Sequence, residues 1–293
     1  MNDFYSWINE AYAPWIVQLA VVFGLLVGSF LNVVIYRIPV MMEREWTVFA
    51  KTHLNIALTD DEKEPFSLTK PASRCPKCGS SVKPWQNIPV LSYILLKGQC
   101  HKCHVHISLR YPLIEILTAC VFGIVAVCYG WSWITLTGFI FSAILIALTF
   151  IDADTQYLPD ELTNPLIWLG LLANSTGNGL VDLKQSLLGA VFGYLSLWLL
   201  NKIHKTIRGI DGIGGGDFKL LAALGAWLGS LVLPIIVLVA AIIGILAAVV
   251  MKVAKSQPIA FGPSLAIAGW VVFISYDKVI AGVNWWLHQS GLA

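Results

Sequence analysis

Apolar and polar residues are arranged along the chain in long blocks. Eight apolar blocks occur, at residues 14–36, 111–129, 131–151, 162–174, 183–203, 218–228, 231–251 and 263–286. Most of them approach the roughly 20 residues with which an α-helix crosses a bilayer, although the fourth and sixth are shorter. Trp and Tyr stand at several block ends, as is typical of membrane–water interfaces. The pattern predicts an all-α polytopic membrane protein with about eight transmembrane helices.

Polar positions are concentrated in residues 37–110, which hold 11 of the 19 Lys and Arg residues. We therefore expect a first transmembrane span in residues 1–36, a polar domain in residues 37–110 and a membrane core in residues 111–293. Lys and Arg accumulate in cytoplasmic loops, so the polar domain is predicted to be cytoplasmic. With eight spans, 17 of the 19 basic residues lie on that side and both termini lie on the other. The first block lacks a basic region and a small-residue cleavage site, so we interpret it as a retained span.

Composition excludes a water-soluble protein. Hydrophobic residues make up 57% of the chain and charged residues only 12%, whereas soluble domains carry about 25% charged residues. The formal net charge of +2 gives no indication of a nucleic-acid partner. Membrane lipid is therefore the partner that composition predicts.

Four cysteines of the polar domain form two CxxC pairs, Cys75/Cys78 and Cys100/Cys103, separated by 21 residues. This spacing is typical of a zinc ribbon, in which four thiolates surround one ion tetrahedrally. Gly79 allows the tight turn that follows the first pair. A cytoplasmic location keeps thiols reduced and favours a metal over disulfides. The sequence predicts a zinc-ribbon-like insertion, with a redox pair or two disulfides as the alternatives.

Acidic residues are scarce outside the polar domain, and several stand at the predicted ends of spans. Asp152 and Asp154 follow the third apolar block, and Asp217 follows a glycine run just before the sixth. The predicted topology puts both segments on the cytoplasmic side, where their carboxyl groups could meet. When two carboxyl groups share a site, repulsion keeps one neutral while the other is ionised. Such a pair can activate water and protonate a carbonyl, which is the chemistry of an aspartic protease.

Two other interpretations of these acids stay open. Helix caps and solvated loop acids account for the same positions without any chemistry. A proton-coupled transporter also uses intramembrane acids, but such acids are expected near span centres, in a chain with internal repeats. Here the acids cluster on one face and the chain shows no obvious repeat, which favours the protease.

Several motifs together resemble the type IV prepilin peptidases, over nearly the whole chain. They include GSFLNVV at residues 28–34, the paired CxxC, WQNIPVLSY at residues 85–93 and ISLRYPLIE at residues 107–115. They also include Asp152-Ala153-Asp154, Leu158-Pro159-Asp160 and a GxGD motif at Gly214, Gly216 and Asp217. The all-glycine GGGD departs from relatives that carry a bulkier residue at the middle position.

The resemblance implies a bifunctional enzyme of the bacterial inner membrane. Its catalytic aspartates fall on Asp152 and Asp217, with Gly214 and Gly216 in the catalytic loop, and Asp154 is an alternative to Asp152 on spacing alone. The family removes the leader peptides of type IV prepilins and type II secretion pseudopilins and then methylates the new N-terminus with S-adenosylmethionine. A relic that binds pilins without cleaving them is a further alternative.

Overall fold

The computed structural model describes residues 2–250 and 260–291, with side chains from residue 15 onward. In these ranges the chain is helical, and its only extended pairing is two isolated β-bridges. The helices are α1 (Asn2–His53), α2 (Asp60–Lys63), a 3-10 helix (Pro84–Asn87), α3 (Leu91–Leu95), α4 (Arg110–Tyr129), α5 (Trp133–Thr155), α6 (Asp160–Ser175), α7 (Leu183–Arg208), α8 (Gly215–Leu228), α9 (Leu233–Val250), α10 (Gly262–Ile274) and α11 (Tyr276–Gln289). The chain divides into two compact units, Ser6–Val127 and a second unit that continues from Cys128.

In the first unit, α1 and α4 approach each other at glycines. A Cβ atom at Gly24 would lie 2.7 Å from the Cα of Ala119, and one at Gly28 would lie 2.7 Å from the Cα of Glu115. Small residues permit such close packing of helices in membranes, where backbone proximity increases van der Waals contact. α1 also continues past the predicted end of the first span, so its C-terminal part belongs to the polar domain.

The polar domain is anchored to α1 by Arg37. This side chain is buried, and its guanidinium donates hydrogen bonds of 2.7 Å to the carbonyls of Ser67 and Pro71. The ring of Phe66 lies 5.4 Å from the same guanidinium. Two charge-assisted hydrogen bonds satisfy the buried charge and hold the loop after α2 against α1.

In the second unit, α8 is the central helix. Nearly all of its residues after the first turn are buried, and α6, α7 and α10 pack around it. α7 meets α8 through glycines, because a Cβ atom at Gly189 would lie 2.1 Å from the carbonyl oxygen of Gly225. Protein therefore encloses α8, which explains why so short an apolar block is stable.

By length and composition, five described helices can cross a membrane: α1 from Trp15, α4, α5, α7 and α9. α10 and α11 pass the same test only as a pair, with an 88° bend between them. The last predicted span is therefore broken into two helices. α6 and α8 have 16 and 14 residues, short of the roughly 20 that cross a bilayer. The all-α polytopic fold is confirmed, with five or six full-length spans among the described residues.

Candidate active site and metal centre

Asp152 and Asp217 lie at helix ends in the second unit. Asp152 is in the last turn of α5 with 4% of its surface exposed, and Asp217 is in the first turn of α8 with 8% exposed. The two carboxyl groups are near enough for their charges to act on each other. The fold thus brings two buried acids from distant parts of the chain into one site.

The carboxylate of Asp152 is incompletely satisfied. Its Oδ2 atom is buried and has no hydrogen-bond partner among the residues that the structure describes. The backbone of Gly262 lies close to this oxygen. An unpaired buried carboxylate costs free energy, so its presence calls for a functional explanation.

The glycine loop before Asp217 is held in place by α7. The side-chain oxygen of Asn201 accepts hydrogen bonds from the backbone N–H groups of Gly212 and Ile213, at 2.8 and 3.1 Å. Gly214 is the N-cap of α8, so Asp217 lies inside the first turn and does not occupy the N-cap position. A Cβ atom at Gly214 would lie 3.3 Å from Oδ2 of Asp217, so this carboxyl group lies next to the partial positive charge of the helix N-terminus.

The neighbouring acids have different surroundings. Asp154 and Asp160 are exposed, and Asp160 forms an ion pair of 2.5 Å with Lys219, which links the start of α6 to α8. Asp152 and Asp154 are equivalent on spacing alone, but only Asp152 is buried. Burial therefore supports Asp152 as the partner of Asp217.

Two residues to which sequence analysis gave no role border the carboxyl pair. Leu158 is buried and contacts the glycine loop, since a Cβ atom at Gly216 would lie 2.6 Å from the Cβ of Leu158. Gly262 contacts Asp152, since a Cβ atom there would lie 2.5 Å from Oδ2. The only sequence signal at Gly262 is the proline after it, which marks a helix start and carries no information about the distant aspartate.

The four cysteines lie in two equivalent turns of the first unit. Antiparallel bridges close residues 74–81 around the first pair and residues 99–106 around the second. In each turn the N–H of the first cysteine donates to the carbonyl five residues later, at 2.9 Å. The residue after the second cysteine has a positive φ, 68° at Gly79 and 55° at His104. The tight turn predicted at Gly79 is confirmed, and His104 adopts the equivalent conformation, which is uncommon for a residue with a side chain.

The four sulfur atoms form a cluster that could hold a metal ion. All four lie within 4.8 Å of one another, and the sulfurs of Cys75 and Cys103 are 3.7 Å apart. Four sulfurs at about 2.3 Å from zinc are about 3.8 Å apart, whereas a disulfide bond is about 2.05 Å long. The backbone N–H groups of Cys103 and Lys102 lower the pKa of the Cys100 thiol to about 6, whereas burial beside the other three sulfurs raises the pKa of the Cys103 thiol to about 11. These residues fit a tetrahedral metal ion.

Two family models match the chain. One, described as a bacterial peptidase A24 N-terminal domain, matches residues 22–129 and so includes the four cysteines. The other, described as the type IV leader peptidase family, matches residues 139–249 and includes Asp152 and Asp217.

The chain is also similar to curated proteins over almost its full length. It is 61% identical to the prepilin leader peptidase/N-methyltransferase of Neisseria gonorrhoeae, over 94% of this chain and 96% of that protein. It is 44% identical to the proteins of the same name from Aeromonas hydrophila, over 94% and 95%, and Pseudomonas aeruginosa, over 90% and 91%. No solved structure matches it. The chain therefore belongs to the type IV leader peptidase family.

Proposed function

We propose that this protein removes the leader peptides of type IV prepilins and methylates the new N-terminal residue, with Asp152 and Asp217 as the catalytic pair. The observation that carries the proposal is the burial of both carboxyl groups in one site. The names of the relatives, prepilin leader peptidase/N-methyltransferase, support the substrate class. The motif resemblance extends the proposal to type II secretion pseudopilins.

Peptide hydrolysis by this pair requires one ionised and one neutral carboxyl group. The ionised group takes a proton from water, which attacks the scissile carbonyl, while the neutral group donates its proton to the carbonyl oxygen. The roles then reverse, so that the leaving nitrogen is protonated as the carbon–nitrogen bond breaks. Repulsion between Asp152 and Asp217 favours the singly protonated pair with which the reaction begins.

The four-cysteine cluster has a structural role in this proposal. A polar domain of this size buries little apolar core, and a zinc ion held by Cys75, Cys78, Cys100 and Cys103 supplies folding free energy in its place. The methylation step takes its methyl group from S-adenosylmethionine and, in this proposal, involves the polar domain. Cleavage belongs to the second unit, so we expect peptidase activity to survive metal removal better than methylation does.

A cleavage assay of the purified full-length chain in detergent tests the proposed function. Incubation with a prepilin peptide is expected to cause a mass loss equal to the leader. Added S-adenosylmethionine is then expected to cause a mass gain of one methyl group. The matched control replaces both aspartates by asparagine and should leave the peptide intact. A folded wild-type chain that leaves the peptide intact would instead indicate a transporter or a pilin-binding protein.

We also propose that the polar domain is cytoplasmic and that the C-terminus lies on the opposite side of the bacterial inner membrane. The basis is the distribution of Lys and Arg, of which 17 of 19 lie on one side when the short helices α6 and α8 also cross the membrane. Single cysteines at Asp61, Asn178 and Ser290 test it, in a chain whose exposed Cys120 and Cys128 are replaced by serine. An impermeant thiol reagent applied to intact cells should label positions 178 and 290 and spare position 61. Protection at position 290 would contradict the proposed topology.

A further inference from the structure

A third chain segment, which begins at Gly262, reaches the carboxyl pair. Phe261 is the N-cap of α10, Gly262 is its first residue and Pro263 follows. Proline in the first turn presets the helical φ angle, so the backbone at this helix start is restrained. α10 packs against both α5 and α8, the two helices that carry Asp152 and Asp217.

The carboxyl group of Asp152 lies directly on the bare backbone of Gly262. A Cβ atom at this position would be 2.5 Å from Oδ2 and 3.1 Å from Cγ of Asp152. The first N–H groups of a helix lack intrahelical partners and carry partial positive charge. Asp152 is 4% exposed, and among the described residues its Oδ2 has no hydrogen-bond partner. The start of α10 therefore borders an unsatisfied buried carboxyl oxygen.

Leu158 connects the starts of α8 and α10. Its Cδ1 would lie 3.1 Å from a Cβ atom at Gly262, and its Cβ would lie 2.6 Å from a Cβ atom at Gly216. Leu158 is itself 6% exposed. One buried side chain thus packs against two glycine backbones, one at the start of each helix, and sets the spacing between them.

We propose that Gly262 is a positioning residue for Asp152 and that Leu158, held between Gly262 and Gly216, keeps α5, α8 and α10 in the register that the carboxyl pair needs. The inference rests on the proposed peptidase function. Neither residue supplies a proton or a nucleophile. Their role is geometric, and a misplacement of about 1 Å in a reacting group can lower a rate about 100-fold.

The test measures prepilin cleavage by full-length Gly262→Ala in detergent. We expect kcat to fall about 10- to 100-fold with little change in KM, because the observed contacts of this glycine are with Asp152 and Leu158 of the enzyme. The pH profile of kcat should change shape, since the new methyl group alters the surroundings of one member of the pair. If the variant merely contained less folded protein, kcat would fall by the same factor at every pH and the profile would keep its shape. Methylation of a pre-cleaved pilin should be retained.

Two glycines of the same unit provide matched controls. Gly269 lies in α10 as well, and a Cβ atom there would lie 2.4 Å from Leu224, so Gly269→Ala crowds the same helix at an apolar contact. A Cβ atom at Gly282 would meet nothing within 4 Å. Both variants should keep the wild-type pH profile, and Gly282→Ala should also keep wild-type kcat. A reshaped profile in Gly269→Ala would overturn the inference, because the effect would then be general to α10.

Wild-type kcat and pH profile in Gly262→Ala would also overturn the inference. The proposed function would be unaffected, because wild-type cleavage and its loss in Asp217→Asn test that function separately. If Gly262→Ala does not fold, the cleavage kinetics of Leu158→Ala test the inference instead. This truncation removes the contact of Leu158 with both glycines without crowding either of them. We expect a several-fold lower kcat at unchanged KM. An unchanged kcat in folded Leu158→Ala would overturn the inference.

Discussion

Asp152 in the second unit and Glu115 in the first are buried to a similar extent, 4% and 8% exposed, but they are held differently. Oε2 of Glu115 accepts a hydrogen bond of 2.8 Å from the backbone N–H of Val90 and so ties the loop before α3 to α4. Oδ2 of Asp152 has no partner among the described residues, and a second acid, Asp217, lies nearby. A hydrogen-bonded buried acid holds a fold together, whereas an unpaired one costs stability and is available for chemistry. Burial alone therefore does not distinguish the two acids, and the hydrogen-bond partners around each carboxyl group support the proposal that Asp152 is catalytic and Glu115 structural.

The largest expected effect is the loss of cleavage in Asp152→Asn and in Asp217→Asn. Asparagine is nearly isosteric with aspartate, so the loss reflects charge and proton transfer and not packing. We expect kcat to fall about 1000-fold or more in each variant, and the double variant to be scarcely worse, because the two residues act as a unit. Wild-type activity should fall on both sides of a pH optimum, since the pair needs one ionised and one neutral carboxyl group. Leader release measured by mass spectrometry checks these outcomes, with methylation of a pre-cleaved pilin as the control for folding.

Two results would contradict the roles proposed for these acids. An inactive Asp154→Asn beside an active Asp152→Asn would show that the exposed acid, and not the buried one, is the catalytic residue. Cleavage at the wild-type rate by Asp217→Asn would rule out the aspartic mechanism altogether.

The second largest effect is expected from a substitution in the four-cysteine cluster. Cys78→Ser removes one of four thiolates, so zinc content measured by elemental analysis should fall well below the expected value of about one per chain. The polar domain should melt at a lower temperature, and methylation should fall more than cleavage does. Cys120→Ser, which alters an exposed cysteine outside the cluster, should leave the zinc content unchanged. Full zinc occupancy in a chain that lacks all four cysteines would contradict the assignment.

A smaller effect is expected at Glu115. The same change from acid to amide at this position serves as a reference for the change at Asp152. In Glu115→Gln the amide oxygen can still accept the N–H of Val90, so the cleavage rate should stay close to that of the wild type. Glu115→Ala leaves that N–H unpaired and should lower the free energy of unfolding by about 1–3 kcal/mol. Denaturant unfolding and cleavage kinetics measure the two effects separately. If Glu115→Gln were as inactive as Asp152→Asn, Glu115 would have to be part of the catalytic machinery.

The smallest effect is expected at Asp160. Its ion pair with Lys219 joins side chains that are 52% and 31% exposed, and solvent screening limits such pairs to about 0.2–1 kcal/mol. Asp160→Asn should therefore keep most of its cleavage activity and lose little stability, as measured by thermal unfolding and by leader release. A loss as large as that of Asp217→Asn would mean that this ion pair positions the catalytic loop.

The sequence alone was sufficient for the features that depend on local chemistry. The all-α polytopic fold follows from apolar blocks, because a helix in lipid must satisfy its own backbone hydrogen bonds and expose apolar side chains. The two cysteine turns follow from the CxxC spacing and Gly79, because each turn is closed by hydrogen bonds within a few residues. The placement of acids at the ends of apolar blocks likewise made Asp152, Asp154 and Asp217 candidates.

Features that depend on contacts between distant segments became visible only in the tertiary structure. Burial distinguishes Asp152 from Asp154, and neither spacing nor composition carries that information. The last apolar block bends by 88° at Ser275. Neither this residue nor its two neighbours is proline or glycine, so the bend was not predicted. The importance of Gly262 appears only when α10 packs against α5, because the atom that forbids a side chain there belongs to Asp152, more than 100 residues away along the chain. A local pattern specifies the backbone of each helix, but the close packing of helix ends determines which oxygen lies against which glycine.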